Sequence, residues 1–215
     1  MKKFIIFDLD GTLLDTIADL GQACNHALQA MGYPTHELQS YPFMVGNGIT
    51  RLIERALPPH ARDQATVMQA RQHFLSYYGP HCMDLTRPYP GIPQLLTDLT
   101  ERGILLAVAS NKYQEAVTRL ISRYFPQIPW IAVEGQRDPR PTKPDPAIVR
   151  DIMHKARVEP SQVLYVGDSG VDMDTARNAS LESIGVTWGF RPESELREHS
   201  AVHIAHTPAD IAALV

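Results

Sequence analysis

Cysteine, excess positive charge and long apolar segments are all scarce in this chain, and each shortage excludes a class of protein. The 215 residues include only two cysteines, Cys24 and Cys82, which lie far apart without the spacing of metal ligands. The sequence therefore predicts a reducing compartment and no disulfide framework. A net charge of −4 at pH 7 argues against a large nucleic-acid surface, because such a surface needs a basic stripe.

Apolar residues occur only in short runs. None approaches the roughly 20 residues needed to span a bilayer. Only the four apolar residues at 4–7 separate the N-terminal lysines from Asp8, too few for the apolar part of a secretory signal. We therefore expect a soluble, cytoplasmic protein that binds neither membranes nor nucleic acid. A chain of this length can hold one sizeable core, or a core with a small inserted module.

Short apolar runs alternate with helical patterns over most of the chain, which predicts an α/β fold. Strands are expected at 4–7, 104–109, 130–133, 163–166, 183–187 and 202–205. Helices are expected at 92–102, 113–124, 145–156 and 172–179. Near-continuous apolar strands separated by helices indicate a parallel sheet covered on both faces.

The segment between about residues 15 and 82 has a different pattern. It contains no convincing strand, and its apolar residues recur three and four positions apart, as in amphipathic helices. Helices are expected at 49–57 and 61–78, with a break at Gly79-Pro80. We therefore predict a catalytic core formed by residues 1–14 and 83–215, and an inserted all-α domain at 15–82.

Two carboxylates, Asp8 and Asp10, follow the first predicted strand. Like charges about 4 Å apart cost roughly 1 kcal/mol in water and several times that in a partly desolvated site. A chain that keeps both must supply a cation and use the negative charge. Asp8 can attack phosphorus to form an aspartyl-phosphate, and Asp10 can act as general acid and base. Thr12 can offer a hydroxyl and an N–H to phosphoryl oxygens. The plainer alternative is an Asp-rich turn after a strand.

Further polar groups lie at or beyond the ends of later predicted elements: Ser110, Asn111, Lys143, Asp168 and Asp172. Open parallel sheets bind ligands at the carboxyl ends of their strands, so we expect these groups to converge. Ser110 and the first N–H groups of the next helix predict an anion site. Prolines stiffen the loop that carries Lys143. Taken singly, Ser110 can be explained as an ordinary helix N-cap and Lys143 as an ordinary surface lysine.

Asp168 follows the predicted strand at 163–166 and can ligate a divalent cation. Asp172, one helical turn on, can hold Lys143 or a metal-bound water. A site whose protein oxygens fill only some of the metal's coordination positions suits Mg²⁺, because this ion keeps bound water and binds substrate phosphate. The alternative is a helix N-terminus enriched in aspartate because of its dipole.

The insert and the remaining polar residues carry weaker signals. Asn47, Gly48 and Arg51 open a predicted helix whose N–H groups and guanidinium could meet an anionic part of a substrate, although an ordinary glycine-rich turn explains them as well. The nine histidines form no coherent ligand set. We assign no role to His199 or His203, for which no carboxylate partner is evident.

Together these residues resemble the haloacid dehalogenase superfamily, and more closely its phosphoglycolate phosphatase-like branch. FDLDGTLLD at 7–15 and GDSGVD at 167–172 are similar to the family's first and fourth motifs, and Ser110 and Lys143 match its second and third. VGNGI at 45–49 and PYPG at 88–91 are similar to segments of that branch. The resemblance covers essentially the whole chain. One departure is Ser180, which stands where relatives often have glycine.

The resemblance implies a Rossmann-like core with an inserted helical cap that closes over the substrate. It implies that Asp8 is the nucleophile, that Asp10 is the acid and base, and that Mg²⁺ is held by Asp8, Asp168 and the backbone carbonyl of Asp10. The expected activity is hydrolysis of a small phosphorylated metabolite such as phosphoglycolate, by a monomer or homodimer.

Other activities on the same core remain open at this stage. They are a β-phosphoglucomutase-like sugar-phosphate mutase, a pyrophosphatase and a non-enzymatic phosphate-binding protein. A true dehalogenase is disfavoured, because that chemistry needs no metal and has no use for Asp10. The roles of Arg137, Arg140 and Arg191 are left unassigned, although a carboxylate on the substrate could use one of them.

Overall fold

A computed structural model describes residues 2–215, and a six-stranded parallel sheet forms its centre. Numbered in chain order, the strands are β1 (Phe4–Phe7), β4 (Leu105–Tyr113), β5 (Ala132–Gln136), β6 (Val163–Gly167), β7 (Glu182–Val186) and β8 (His203–Ala205). They lie in the order β5-β4-β1-β6-β7-β8, and every neighbouring pair is parallel. The predicted parallel sheet is therefore confirmed.

Helices cover both faces of this sheet. They are α4 (Ile92–Glu101), α5 (Gln114–Tyr124), α6 (Ala147–Ala156), α7 (Gly170–Asn178), α8 (Glu193–Glu198) and α9 (Pro208–Ala212). Successive side chains of a strand point to opposite faces. Ile5 and Phe7 accordingly join one apolar cluster, while Phe4 and Ile6 join the other. All four side chains are fully buried, which explains why the strand is apolar throughout.

Residues 17–81 fold into helices without strands, as predicted for the segment 15–82. It contains α1 (Ile17–Ala30), α2 (Ile49–Ala56) and α3 (Gln64–His81), with short 3₁₀ helices at Leu38–Phe43 and Pro59–Ala61. These helices share an apolar cluster of their own, which includes Leu28, Leu52 and Phe74. The boundaries of the predicted domains, 1–14 with 83–215 and 15–82, stay a prediction.

The chain enters and leaves this insert through one small antiparallel pairing, which was not predicted. It joins β2 (Leu14–Asp15) to β3 (Arg87–Pro88). The buried carboxylate of Asp19 in α1 accepts hydrogen bonds from the N–H groups of Leu85 and Thr86 and from the Thr86 hydroxyl. The two connecting segments are thereby fastened to each other.

Some element boundaries differ from those expected. β4 continues four residues past Ala109, and α3 runs through Gly79-Pro80 to His81. Pro80 lies in the last turn, and the helix ends one residue later at His81, so the proline disturbs only its end. Helices α8 and α9 were not predicted, since segments of five or six residues show little periodicity. No helix within residues 2–215 is long and apolar enough to cross a membrane.

Candidate active site

A small cavity lies at the carboxyl edge of the sheet, where the predicted polar residues converge. β1 ends just before Asp8, β6 ends just before Asp168, and Ser110 lies in β4, which pairs with β1 on the side away from β6. The cavity has a volume of about 50 Å³, and Asp8, Asp10, Ser110 and Asp168 all line it. The convergence follows from the topology, because the three strands are adjacent and parallel.

A tight turn after β1 aims the first two carboxylates. The carbonyl of Leu9 accepts hydrogen bonds from the N–H groups of Thr12, Leu13 and Leu14. Gly11 adopts φ +85°, and a Cβ atom there would lie 2.2 Å from Asp168 Oδ2. A glycine is therefore required where the turn packs against the carboxylate from β6.

Asp8, Asp168 and Asp172 form one buried carboxylate cluster. Each offers an oxygen, and these oxygens lie within 4.8 Å of one another. Both oxygens of Asp172 are engaged: Oδ1 accepts from Lys143 and Tyr165, and Oδ2 accepts from the N–H and hydroxyl of Ser169. Asp168 Oδ2 accepts from the N–H of Phe190, 2.7 Å away. Asp8 Oδ1 has no hydrogen-bond partner within the described part of the chain.

Lys143 supplies the positive charge nearest to this cluster. Its ammonium donates to Asp172 Oδ1 at 2.8 Å and to the carbonyl of Ala109 at 3.0 Å. It also lies 2.9 Å from Asp8 Oδ1, a contact that is electrostatic because its angles do not suit a hydrogen bond. The Asn111 amide holds the backbone of Lys143 on both sides, accepting from its N–H and donating to its carbonyl.

Burial sets the protonation of these groups. Loss of hydration raises the pKa of the Asp8 carboxyl to about 7, with Lys143 opposing the rise and Asp172 adding to it. Burial likewise raises the pKa of Asp168 well above its usual value, and Asp172 and Asp8 add to that rise. Burial alone would lower the pKa of Lys143, but Asp172 and Asp8 outweigh it and raise that pKa well above the ordinary value. With all three carboxyls ionised, the cluster would carry more negative charge than its one lysine balances, and the raised pKa values of Asp8 and Asp168 reflect that cost.

The donor set fits a hard divalent cation. Three buried carboxyls face a single contacting lysine, so a divalent cation would stabilise their ionised forms, and Asp8 Oδ1, which accepts no hydrogen bond, is an available oxygen ligand. Mg²⁺ prefers such oxygen ligands and keeps some of its water. Asp8 and Asp168 could hold the ion, and Asp172 is committed to Lys143 and Ser169.

Comparison with known proteins decides the family. The family model for haloacid dehalogenase-like hydrolases matches residues 5–186. The chain belongs to the haloacid dehalogenase-like hydrolase family. It is 35% identical over 198 residues to a phosphoglycolate phosphatase from Vibrio parahaemolyticus, covering 87% of this chain and 85% of that protein. It is 36% identical over 199 residues to a phosphoglycolate phosphatase from Pseudomonas putida, and the match covers 88% of this chain and 71% of that protein.

A solved structure supports the same assignment. A Lactobacillus delbrueckii subsp. bulgaricus protein, provisionally assigned as a phosphoglycolate phosphatase, superposes with a TM-score of 0.92. The two chains are 32% identical, and the match covers 98% of this hydrolase and 97% of that structure. The predicted family and fold class are therefore confirmed.

Three predicted phosphate-binding groups of this hydrolase lie differently from expectation. Ser110 lies inside β4, which continues to Tyr113 before α5 begins at Gln114, and its hydroxyl oxygen accepts from the N–H of Lys112. Thr12 is fully buried, and its N–H donates to Leu9 rather than to the cavity. The Asn111 side chain is occupied with Lys143 and with the carbonyl of Gly46. Only Ser110 retains a side chain that lines the cavity and is free to donate.

The predicted residues of the insert lie at the rim of the site. Asn47, Gly48 and Arg51 line a second cavity of about 240 Å³, and Gly48 also lines the first. Arg51 pairs with Glu54 at 2.6 Å, and the side-chain oxygen Oδ1 of Asn47 accepts from the Arg55 guanidinium.

The three unassigned arginines separate into two groups. Arg191 lines the catalytic cavity and donates to the carbonyl of Val45 in the insert. Arg137 and Arg140 instead contact Glu134, at 3.9 and 3.3 Å, and line neither the first nor the second cavity.

Three further side chains were misjudged from the sequence. Lys112 lies in the cavity, where its ammonium is 2.9 and 3.0 Å from the two oxygens of Asp10. The predicted strand ended with the apolar run at residue 109, so no pattern in the sequence placed Lys112 beside the cavity. His199 does have a carboxylate partner, Asp174 at 2.9 Å, and His203 has Glu182 at 3.5 Å. These partners lie too far away in sequence for spacing to reveal them.

Proposed function

We propose that this hydrolase is a magnesium-dependent phosphatase that acts on a small phosphate monoester through an aspartyl-phosphate on Asp8. The supporting observation is that Asp8 and Asp168 line one small cavity, and that the Lys143 ammonium lies 2.9 Å from Asp8 Oδ1. Like the relatives named above, the chain is a phosphoric monoester hydrolase. Since those relatives are phosphoglycolate phosphatases, phosphoglycolate is the first substrate to try.

The proposed reaction has two displacements. In the first, an oxygen of Asp8 bonds to phosphorus, the bond from phosphorus to the ester oxygen breaks, and the Asp10 carboxyl gives its proton to that oxygen. In the second, the oxygen of a water molecule bonds to phosphorus while Asp10 takes a proton from it. The bond between Asp8 and phosphorus then breaks, which releases inorganic phosphate and restores the Asp8 carboxylate and the protonated Asp10 carboxyl.

Lys143 has a supporting role in this scheme. Its ammonium contacts Asp8 and Asp172 together, so it can hold the nucleophile in place and offset charge on the phosphoryl group. Ser110 can donate its hydroxyl to a phosphoryl oxygen from the cavity wall. Bound Mg²⁺, held by Asp8, Asp168 and the Asp10 carbonyl, would supply further charge stabilisation.

We place recognition of the leaving group at the insert. A catalytic cavity of about 50 Å³ has room for a phosphoryl group and little more. Asn47, Gly48 and Arg51 border the larger neighbouring cavity, so side chains of the insert are positioned to contact the rest of the ester. Closure of the insert over the site would exclude bulk water.

A substrate panel tests this proposal. Phosphoglycolate, hexose phosphates, pyrophosphate and nucleotides are compared by kcat/KM, with Mg²⁺ and with EDTA, for the native protein and Asp8→Asn. We expect magnesium-dependent phosphate release from a small monoester and loss of turnover in Asp8→Asn. Turnover that survives either EDTA or Asp8→Asn would overturn the mechanism. Preference for pyrophosphate, or transfer to a sugar hydroxyl, would change the substrate class.

A further inference from the structure

Lys112 is a buried cation that the two-step scheme leaves without a role. Its side chain is 3% exposed, and its ammonium lies 2.9 and 3.0 Å from the two carboxylate oxygens of Asp10. Among residues 2–215, Asp10 is the one hydrogen-bond acceptor of this ammonium. Both residues line the catalytic cavity. The contact therefore belongs to the site rather than to a distant part of the fold.

We propose that Lys112 is a positioning residue that orients the Asp10 carboxyl for proton transfer, an inference that rests on the proposed function. Asp10 lies on a turn and keeps 19% of its side chain exposed, so packing alone does not hold its carboxyl in one orientation. A proton donor must come within hydrogen-bond reach of the leaving oxygen. The Lys112 ammonium donates to both oxygens of Asp10 and so holds the Asp10 carboxyl in the cavity wall.

The insert protects this contact from water. The Lys112 ammonium lies 4.8 Å from the centre of the Tyr78 ring, and Tyr78 is a fully buried residue of α3. An aromatic face attracts a cation, and exclusion of water strengthens the ion pair beneath it. The orientation of Asp10 thus depends on a side chain from the core and on a ring from the insert.

The same ammonium could instead bind the phosphoryl group directly, and the leaving group distinguishes the two roles. An alkoxide leaves poorly without a proton, whereas p-nitrophenolate leaves without one. Loss of a positioned acid should lower kcat/KM for alkyl phosphates and spare p-nitrophenyl phosphate. Loss of a phosphate contact should lower kcat/KM for both, because both carry the same phosphoryl group.

The test compares Lys112→Met, which removes the charge at similar length, with Lys155→Met as a matched control away from the cavity. We expect Lys112→Met to lower kcat/KM for an alkyl phosphate by about 10- to 100-fold, and for p-nitrophenyl phosphate by less than about 3-fold. The ratio of the two values should be unchanged in Lys155→Met. An equal fall for both substrates, or no fall for either, would overturn the proposal.

Two further measurements separate positioning from a purely structural effect. In an Asp10→Asn background, Lys112→Met should lower kcat/KM for the alkyl phosphate by less than about a further 2-fold, because the effects of residues that act through each other are non-additive. Tungstate, a phosphate analogue, should bind Lys112→Met as tightly as it binds the native protein. If Lys112→Met lowers kcat/KM as much in the Asp10→Asn background as in the native protein, the positioning role is contradicted. Weakened tungstate binding by Lys112→Met would contradict it too. The proposed function fails separately, if Asp8→Asn remains active.

Discussion

At the scale of single residues, Lys143 connects more of the site than any other side chain described above. Its ammonium reaches Asp172, Asp8, the carbonyl of Ala109 and the hydroxyl of Tyr165, and its side chain is 1% exposed. A buried cation surrounded by oxygens in this way both satisfies the carboxylates and depends on them. Removing it should therefore affect folding as well as turnover.

We predict that Lys143→Met lowers the free energy of unfolding by about 3–5 kcal/mol, because it leaves buried carboxylates without their cation. Urea unfolding at pH 8 in EDTA measures this, and Mg²⁺ should restore part of the loss by binding the folded protein. Lys2→Met, which breaks an ion pair with the half-exposed Glu182, is the control. A loss below about 1 kcal/mol would show that the carboxylates do not need this lysine.

Some residues of the site could be predicted from the sequence, and others could not. Asp8, Asp10 and Asp168 could be predicted because each follows an apolar run, and Lys143 because prolines flank it. Lys112 could not, since its partner Asp10 lies 102 positions earlier and no local pattern links them. Ser180 stands where glycine was expected, yet it adopts the left-handed conformation itself, with φ 59°, so the turn is kept.

At the scale of elements, β5 and α6 are joined by one buried carboxylate. Glu134 of β5 is 5% exposed and contacts Lys155 of α6 and Arg140 of the intervening loop. Burial alone would raise the pKa of Glu134, but hydrogen bonds from Lys155 and Arg140 outweigh it and hold that pKa below its ordinary value. The ionised carboxylate is therefore the form that the folded protein favours.

This lowered pKa predicts the direction of a pH effect. A group whose pKa is lower in the folded state stabilises the protein above its ordinary pKa, and the stabilisation is lost as pH falls through the lowered value. Between roughly pH 6 and pH 3, the native protein should therefore lose more stability than Glu134→Gln. Urea midpoints across that range measure the difference. Parallel curves for the two proteins would contradict the assignment.

At the scale of the whole molecule, the site follows from the topology of the sheet. Near-continuous apolar runs predicted parallel strands, and parallel strands bring their carboxyl ends to one edge, which is why the aspartates could be expected to meet. The ends of the strands were less predictable, because the polar stretch 110–112 gives no sign that β4 continues through it. The short pairing of β2 with β3 was missed, since two-residue strands have no periodicity.

The proposed mechanism requires above all that Asp8 carries the phosphoryl group during turnover. Borohydride reduces an acyl phosphate to an alcohol, so adding it during steady-state turnover should convert Asp8 to homoserine. Peptide mass spectrometry then locates the change. We expect homoserine at position 8 in the presence of substrate and Mg²⁺, and none without substrate or in Asp8→Asn. Reduction at another residue, or an unmodified Asp8 in an enzyme that is turning over, would contradict the mechanism.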